Sequence, residues 1–110
     1  VAKYECTLRG DYDQALRYFH EGILNGSMSV SFEEESYFQS FGVRVTVRVY
    51  ERYSMTGGNR LSMTLTLVGD GEKLYLSGIT AGGSQGVWLK INTWGEEAFL
   101  DILRGLAQRW

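Results

Sequence analysis

Arg44, Arg48 and Arg52 recur at every fourth position, so on an extended strand all three side chains project to one face, with Thr46 and Tyr50 between them. A row of guanidinium groups flanking a phenol offers several fixed donors. That chemistry suits a carboxylate, a phosphate or an acidic protein surface. The plainer reading is an exposed sheet face on which these arginines pair with Glu33, Glu35 or Glu51. Ser29, Ser31, Ser62, Thr64, Thr66, Tyr75 and Ser77 are expected to extend that face on neighbouring strands. If it curves around a cavity, the mixture fits a small polar or amphipathic ligand.

The remaining chemistry-bearing residues are more isolated. Thr80 to Gly86 is glycine-rich and includes Ser84, and its amides could converge on an anion. It lacks both the dinucleotide fingerprint and the Lys-Ser/Thr ending of a phosphate loop, which favours a sharp turn. Trp88, between Val87 and Leu89, points to an interface, because a large exposed aromatic is costly. His20 is the one histidine and has no partner that spacing supplies. Cys6, the one cysteine, alternates with Tyr4 and Leu8 toward the core and reads as an inert thiol. Glu33-Glu34-Glu35, Asp11 with Asp13, and Glu96-Glu97 have turn or helix-start explanations and do not resolve into a metal-ligand set or a catalytic pair. No metal or cofactor is expected.

These residues need a scaffold of 110 residues, room for one core, so a single domain over 1–110 is the expectation. Eleven basic against thirteen acidic residues give a net charge of -2, which argues against general attraction to nucleic acid or an anionic membrane. A lone cysteine rules out an intrachain disulfide and suits a reducing cytoplasm. The chain shows no secretory leader and no apolar run near the ~20 residues a spanning helix needs, so a soluble cytoplasmic protein is expected.

Alternation of Ala2, Tyr4, Cys6 and Leu8 with charged residues predicts a first strand. Gly10, Asp11 and Asp13 then open a helix whose Tyr12, Ala15, Leu16, Phe19 and Ile23 recur at helical spacing. A short strand over Ser27–Glu33 follows, with the acidic run opening a hairpin or loop. Val43, Val45, Val47 and Val49 mark the clearest strand and are expected to face the core. Leu61 to Leu67 and Leu74 to Leu76 predict two more strands, joined by short turns at Thr56–Asn59 and Gly69–Gly71. Val87–Asn92 reads as a last extended segment. Thr93 and Glu96 then form a capping box for a second helix with Phe99, Ile102, Leu103, Leu106 and Trp110 as its apolar stripe.

The strings Tyr50-Glu51-Arg52-Tyr53-Ser54, Gly57-Gly58-Asn59-Arg60, Thr66-Leu67-Val68-Gly69 and Ile79-Thr80-Ala81-Gly82-Gly83-Ser84-Gln85 resemble a small uncharacterised bacterial family of about this length. That resemblance implies a bacterial protein without a known catalytic motif and carries over no functional residue. The element order also resembles helix-grip ligand-binding domains and the sheet-and-helix layout of TATA-binding proteins, a likeness of layout that implies no function.

The expected architecture is therefore α+β, in the order β-α-β(4-5)-α, with a curved, mainly antiparallel sheet covered on one face by two helices. The expected function is a non-enzymatic binding or interaction module. Its contact residues are Arg44, Arg48, Tyr50, Arg52, Thr64, Tyr75, Ser84 and Trp88, and its partner is a second copy of the chain or another protein. Two alternatives accompany it: a small-molecule carrier with a pocket between the sheet and the C-terminal helix, and an enzyme using His20 or Cys6.

Overall fold

A computed structural model describes residues 1–27, 29–53, 60–82 and 89–110, with backbone alone over 89–93. The elements are β1 (Ala2–Arg9), α1 (Tyr12–Asn25), β2 (Val30–Ser40), β3 (Val43–Tyr53), β4 (Arg60–Asp70), β5 (Lys73–Gly82) and α2 (Leu89–Arg109). The five strands form one sheet in the order β1-β5-β4-β3-β2, and every pair in it is antiparallel. β2 to β5 make a meander, and β1 closes it beside β5. The chain has the expected α+β class.

Local chemistry sets most of the boundaries. The Asp11 carboxylate accepts the Gln14 amide at 2.9 Å, satisfying one of the unpaired donors that begin α1. Tyr12, Ala15, Phe19 and Ile23 then share the buried face of that helix. Phe19 is fully buried, and removing such a side chain from water contributes about 2–3 kcal/mol. α2 adds Phe99, Leu100, Leu103 and Leu106 to the same core, facing Leu61, Met63, Leu65 and Leu67 of β4 and Leu74 and Leu76 of β5. The Tyr18 hydroxyl donates to the Leu106 carbonyl at 2.7 Å, which ties the two helices together. Two glycines make this packing geometrically feasible. A Cβ on Gly78 would fall on Leu103, and one on Gly69 would fall on the Tyr12 ring.

Three expectations need correction. β2 does not stop at the acidic run. It continues through Glu33-Glu34-Glu35 to Ser40, with a bulge at Glu33, because an edge strand pairs on one side only and leaves these carboxylates in water. It reaches β3 through a two-residue turn at Phe41 and Gly42, both at positive φ. That conformation is strained for a bulky residue, and the turn matches the twist of the hairpin. At the other end, Leu89–Asn92 belongs to α2 rather than to a strand, so Thr93 lies inside the helix and not at its start. The Glu96 carboxylate instead accepts the Gly82 amide at 2.7 Å, and its carbonyl accepts the Thr80 hydroxyl at 3.1 Å, pinning the end of β5 against α2.

The third correction decides where a site is found. On β3 the helices cover the row of Arg44, Thr46, Arg48, Tyr50 and Arg52, not the valine row. Thr46 and Tyr50 are buried, whereas Val43, Val45, Val47 and Val49 are only half-buried. The helix layer stabilises this choice because it brings hydrogen-bonding partners to the polar row. The Tyr12 hydroxyl bonds the Thr46 hydroxyl, Asp13 meets Arg44 and His20 meets Tyr50. Among the described residues, every buried side-chain nitrogen and oxygen has a partner. Met28, Thr56–Asn59 and Gly83–Trp88, hence Ser84 and Trp88, lie outside the described residues.

Candidate functional site

Register places each residue of the polar row opposite a known neighbour. Arg48 pairs with Glu35 on β2 and Leu65 on β4, while Tyr50 pairs with Phe32 and Met63. Arg44 grips both oxygens of Asp13 at 2.9 and 3.1 Å, donates its Nε to the Tyr37 hydroxyl at 3.1 Å and lies 4.3 Å from the centre of the Tyr12 ring. The Arg44 hydrogen bonds hold the Asp13 carboxyl below its ordinary range. Arg48 donates Nε to Glu35 at 3.0 Å and Nη2 to the same oxygen at 2.9 Å. Arg52 lies 5.1 Å from the Phe99 ring and reaches the Gly95 carbonyl, and burial pushes its pKa down.

The Tyr50 hydroxyl stands 2.6 Å from His20 Nδ1. Burial raises the Tyr50 pKa, so the phenol stays neutral. A buried neutral phenol needs an acceptor for its hydrogen; with Nδ1 in that role, the imidazole hydrogen sits on Nε2. Burial first, and the Arg48 charge second, hold the His20 pKa below its ordinary value, against opposing pulls from Glu21 and Glu35. Asp13, Leu16, Arg17, His20 and Arg48 line a cleft of about 510 Å³ between α1 and β3.

Thr64 and Tyr75 are on the opposite face of the sheet. Antiparallel partners share a face, so the pairings run in rows across it: Phe38, Val45, Val68 and Tyr75 in one, Ser36, Val47, Thr66 and Ser77 in the next, Glu34, Val49, Thr64 and Ile79 in a third. The candidate set therefore divides, with Arg44, Arg48, Tyr50 and Arg52 against the helices and Thr64 and Tyr75 on the uncovered face. That face is more apolar than expected. Phe38 is 58% exposed, Tyr75 48% and Ile79 40%. Glu5, Thr7, Thr66, Val68, Tyr75 and Ser77 border a hollow of about 430 Å³ there. Cys6 is half-buried against the core, on β1, away from the His20 cleft.

The alternation of Val43 to Val49 was the available signal for this uncovered surface, but its apolar character pointed to the interior. Phe38 was hidden by placing the end of the second strand too early.

Among the described residues no three His, Cys, Asp or Glu side chains converge as a metal site, and no helix is long and apolar enough to cross a membrane. Residues 1–110 match a family of unknown function, DUF6054. The chain belongs to that family. No curated protein and no solved structure matches it, so the likeness to helix-grip domains and TATA-binding proteins gains no support. Within DUF6054, then, the reading of this member rests on its own geometry.

Proposed function

We propose that this DUF6054 chain is a single-domain, non-enzymatic interaction module that pairs with a second copy of itself through the uncovered face of its sheet. The observation that carries this reading is the apolar row of Phe38, Val45, Val68 and Tyr75, backed by Val47, Val49 and Ile79, on a face that no helix covers. A sheet is stable when its apolar face is packed, and here one face has the helices while, among the described residues, the other is covered by none.

Size and charge favour a second copy as the occupant. Five strands about 4.8 Å apart and up to about 36 Å long present roughly 800 Å² per copy, the footprint of a stable dimer. The middle of the face is uncharged, with Lys3, Glu5, Glu34 and Glu51 toward its margins, so two copies meet without burying like charges. A cytoplasmic location accords with Cys6, a free thiol. The carrier reading is less favoured, because Leu103 fills the space beside Gly78 between the sheet and α2.

Sedimentation velocity across the micromolar range tests this. The wild-type chain is expected to sediment as a dimer and Val47→Arg as a folded monomer. A wild-type monomer throughout that range overturns the reading.

A further inference from the structure

The cleft between α1 and β3 lies on the helix side of the sheet and takes no part in the proposed dimer. The geometry points to a binding site there for a small monocarboxylate with an apolar tail, held by Arg17, Arg48 and His20 at its acidic end and by Leu16 along its body.

The donor set comes first. Arg48 directs Nε and Nη2 to Glu35, which leaves Nη1 outside that ion pair. His20 is anchored through Nδ1 by Tyr50, so its other nitrogen is the one that remains to engage a ligand. Arg17 is exposed and lines the same cleft. Two guanidinium groups and an imidazole N–H are donors of the kind that bind a carboxylate.

Charge bookkeeping then selects the valence of the ligand. Of the charged side chains that line the cleft, Arg17 and Arg48 are positive and Asp13 is negative; Arg44 on Asp13 and Glu35 on Arg48 stand outside the lining and offset each other. One positive charge is left over. Glu21 also stands outside the lining, one helical turn beyond Arg17, and acts on His20 through space, while the Tyr50 phenol is neutral. A single negative charge balances the lining side chains, whereas a phosphate dianion would leave an excess. Leu16 adds an apolar wall to a cleft of about 510 Å³, within the size range of small-molecule sites.

His20 is the only histidine, so its ring signals in a proton–carbon NMR spectrum report on this cleft directly. The full chain is titrated with sodium hexanoate, sodium acetate, inorganic phosphate and sodium chloride at constant pH. Hexanoate is expected to shift the His20 signals saturably and to bind about tenfold more tightly than acetate, since its extra methylenes enter the cleft. Arg17→Gln, an exposed change that should leave the amide fingerprint intact, is expected to weaken hexanoate at least about fivefold. Arg48→Gln should weaken it too, but it also releases Glu35 and can perturb the fold, so Arg17→Gln is the deciding variant. Shifts that follow chloride without saturating, phosphate binding more tightly than hexanoate, or an unchanged affinity in Arg17→Gln would each overturn the assignment.

Discussion

Tyr50 on β3 and His20 on α1 meet through a 2.6 Å hydrogen bond, joining the sheet to the first helix at a point where a core residue with a polar tip reaches a cleft. The pair gives the helix a fixed angular setting over the strand. It also makes the stability of the fold depend on the protonation of one imidazole.

The pH dependence follows from the depressed His20 pKa. The unfolded chain takes up its proton near the ordinary value of 6.5, and the folded chain only at lower pH. Between those two values the unfolded state binds more protons, so stability is complete above about 6.5 and falls as the pH drops through the folded value. Asp13 loses its contribution only below its own ordinary value of 3.8, which separates the two effects. Urea denaturation at pH 7.5, 6.0 and 5.0 is expected to give a declining midpoint for wild type. His20→Phe should flatten that decline. An equal slope in both proteins would remove His20 as its source.

Tyr50→Phe keeps the ring in the core and deletes the hydroxyl. His20 Nδ1 loses its partner, and a loss of about 1–2 kcal/mol is expected in equilibrium denaturation. The His20 ring signals should move in the same variant, since the tautomer is no longer fixed from Nδ1. Unchanged stability and unchanged signals would mean that the hydrogen bond contributes little.

Gly69→Ala is expected to destabilise by about 2 kcal/mol, because the new Cβ enters the Tyr12 ring and that ring is pressed beneath the Arg44 guanidinium. Gly71→Ala two residues later meets no atom and is instead strained by its positive φ, so the two changes differ in mechanism. Replacing Tyr12 with Leu in the Gly69→Ala background should recover part of the loss only at the first site. A double-mutant cycle on thermal midpoints reads this coupling.

Val68→Lys on the uncovered face should leave the monomer within about 1 kcal/mol of wild type while abolishing self-association. The comparison is between the denaturation midpoint and its dependence on protein concentration, which a dimer shows and a monomer does not. Persistence of that dependence in Val68→Lys would place the contact elsewhere.

Much of the scaffold was legible in the residues. Asp11 as the cap of α1, the buried row of Tyr12, Ala15, Phe19 and Ile23, and the alternation of Leu61 to Leu67 all lead to the elements that form. The facing of β3 was not, because a period of two identifies a strand without saying which side meets the helices. Both sides of β3 are amphipathic in their own way, and the outcome depends on partners distant in the chain: Tyr12, Asp13 and His20 lie about 30 residues away from those they satisfy. The start of α2 was misread for a similar reason. Four residues of alternating character fit a strand or one helical turn equally well. The cleft was hidden because His20 has no local spacing partner; its neighbours come from β3.

The acidic stretch of β2 has a bearing on how far assembly can proceed. Its outer rim is the long flank at which another strand could add, yet three successive negative charges sit along it, bent by the bulge at Glu33. Lateral growth into fibrils would stack those residues copy upon copy, whereas two sheets closing face to face keep Glu34 at the margin of the contact and leave Glu33 and Glu35 outside it. The chain thus carries its own stop against open-ended polymerisation, and neutralising Glu33, Glu34 and Glu35 together should convert a bounded pair into aggregate.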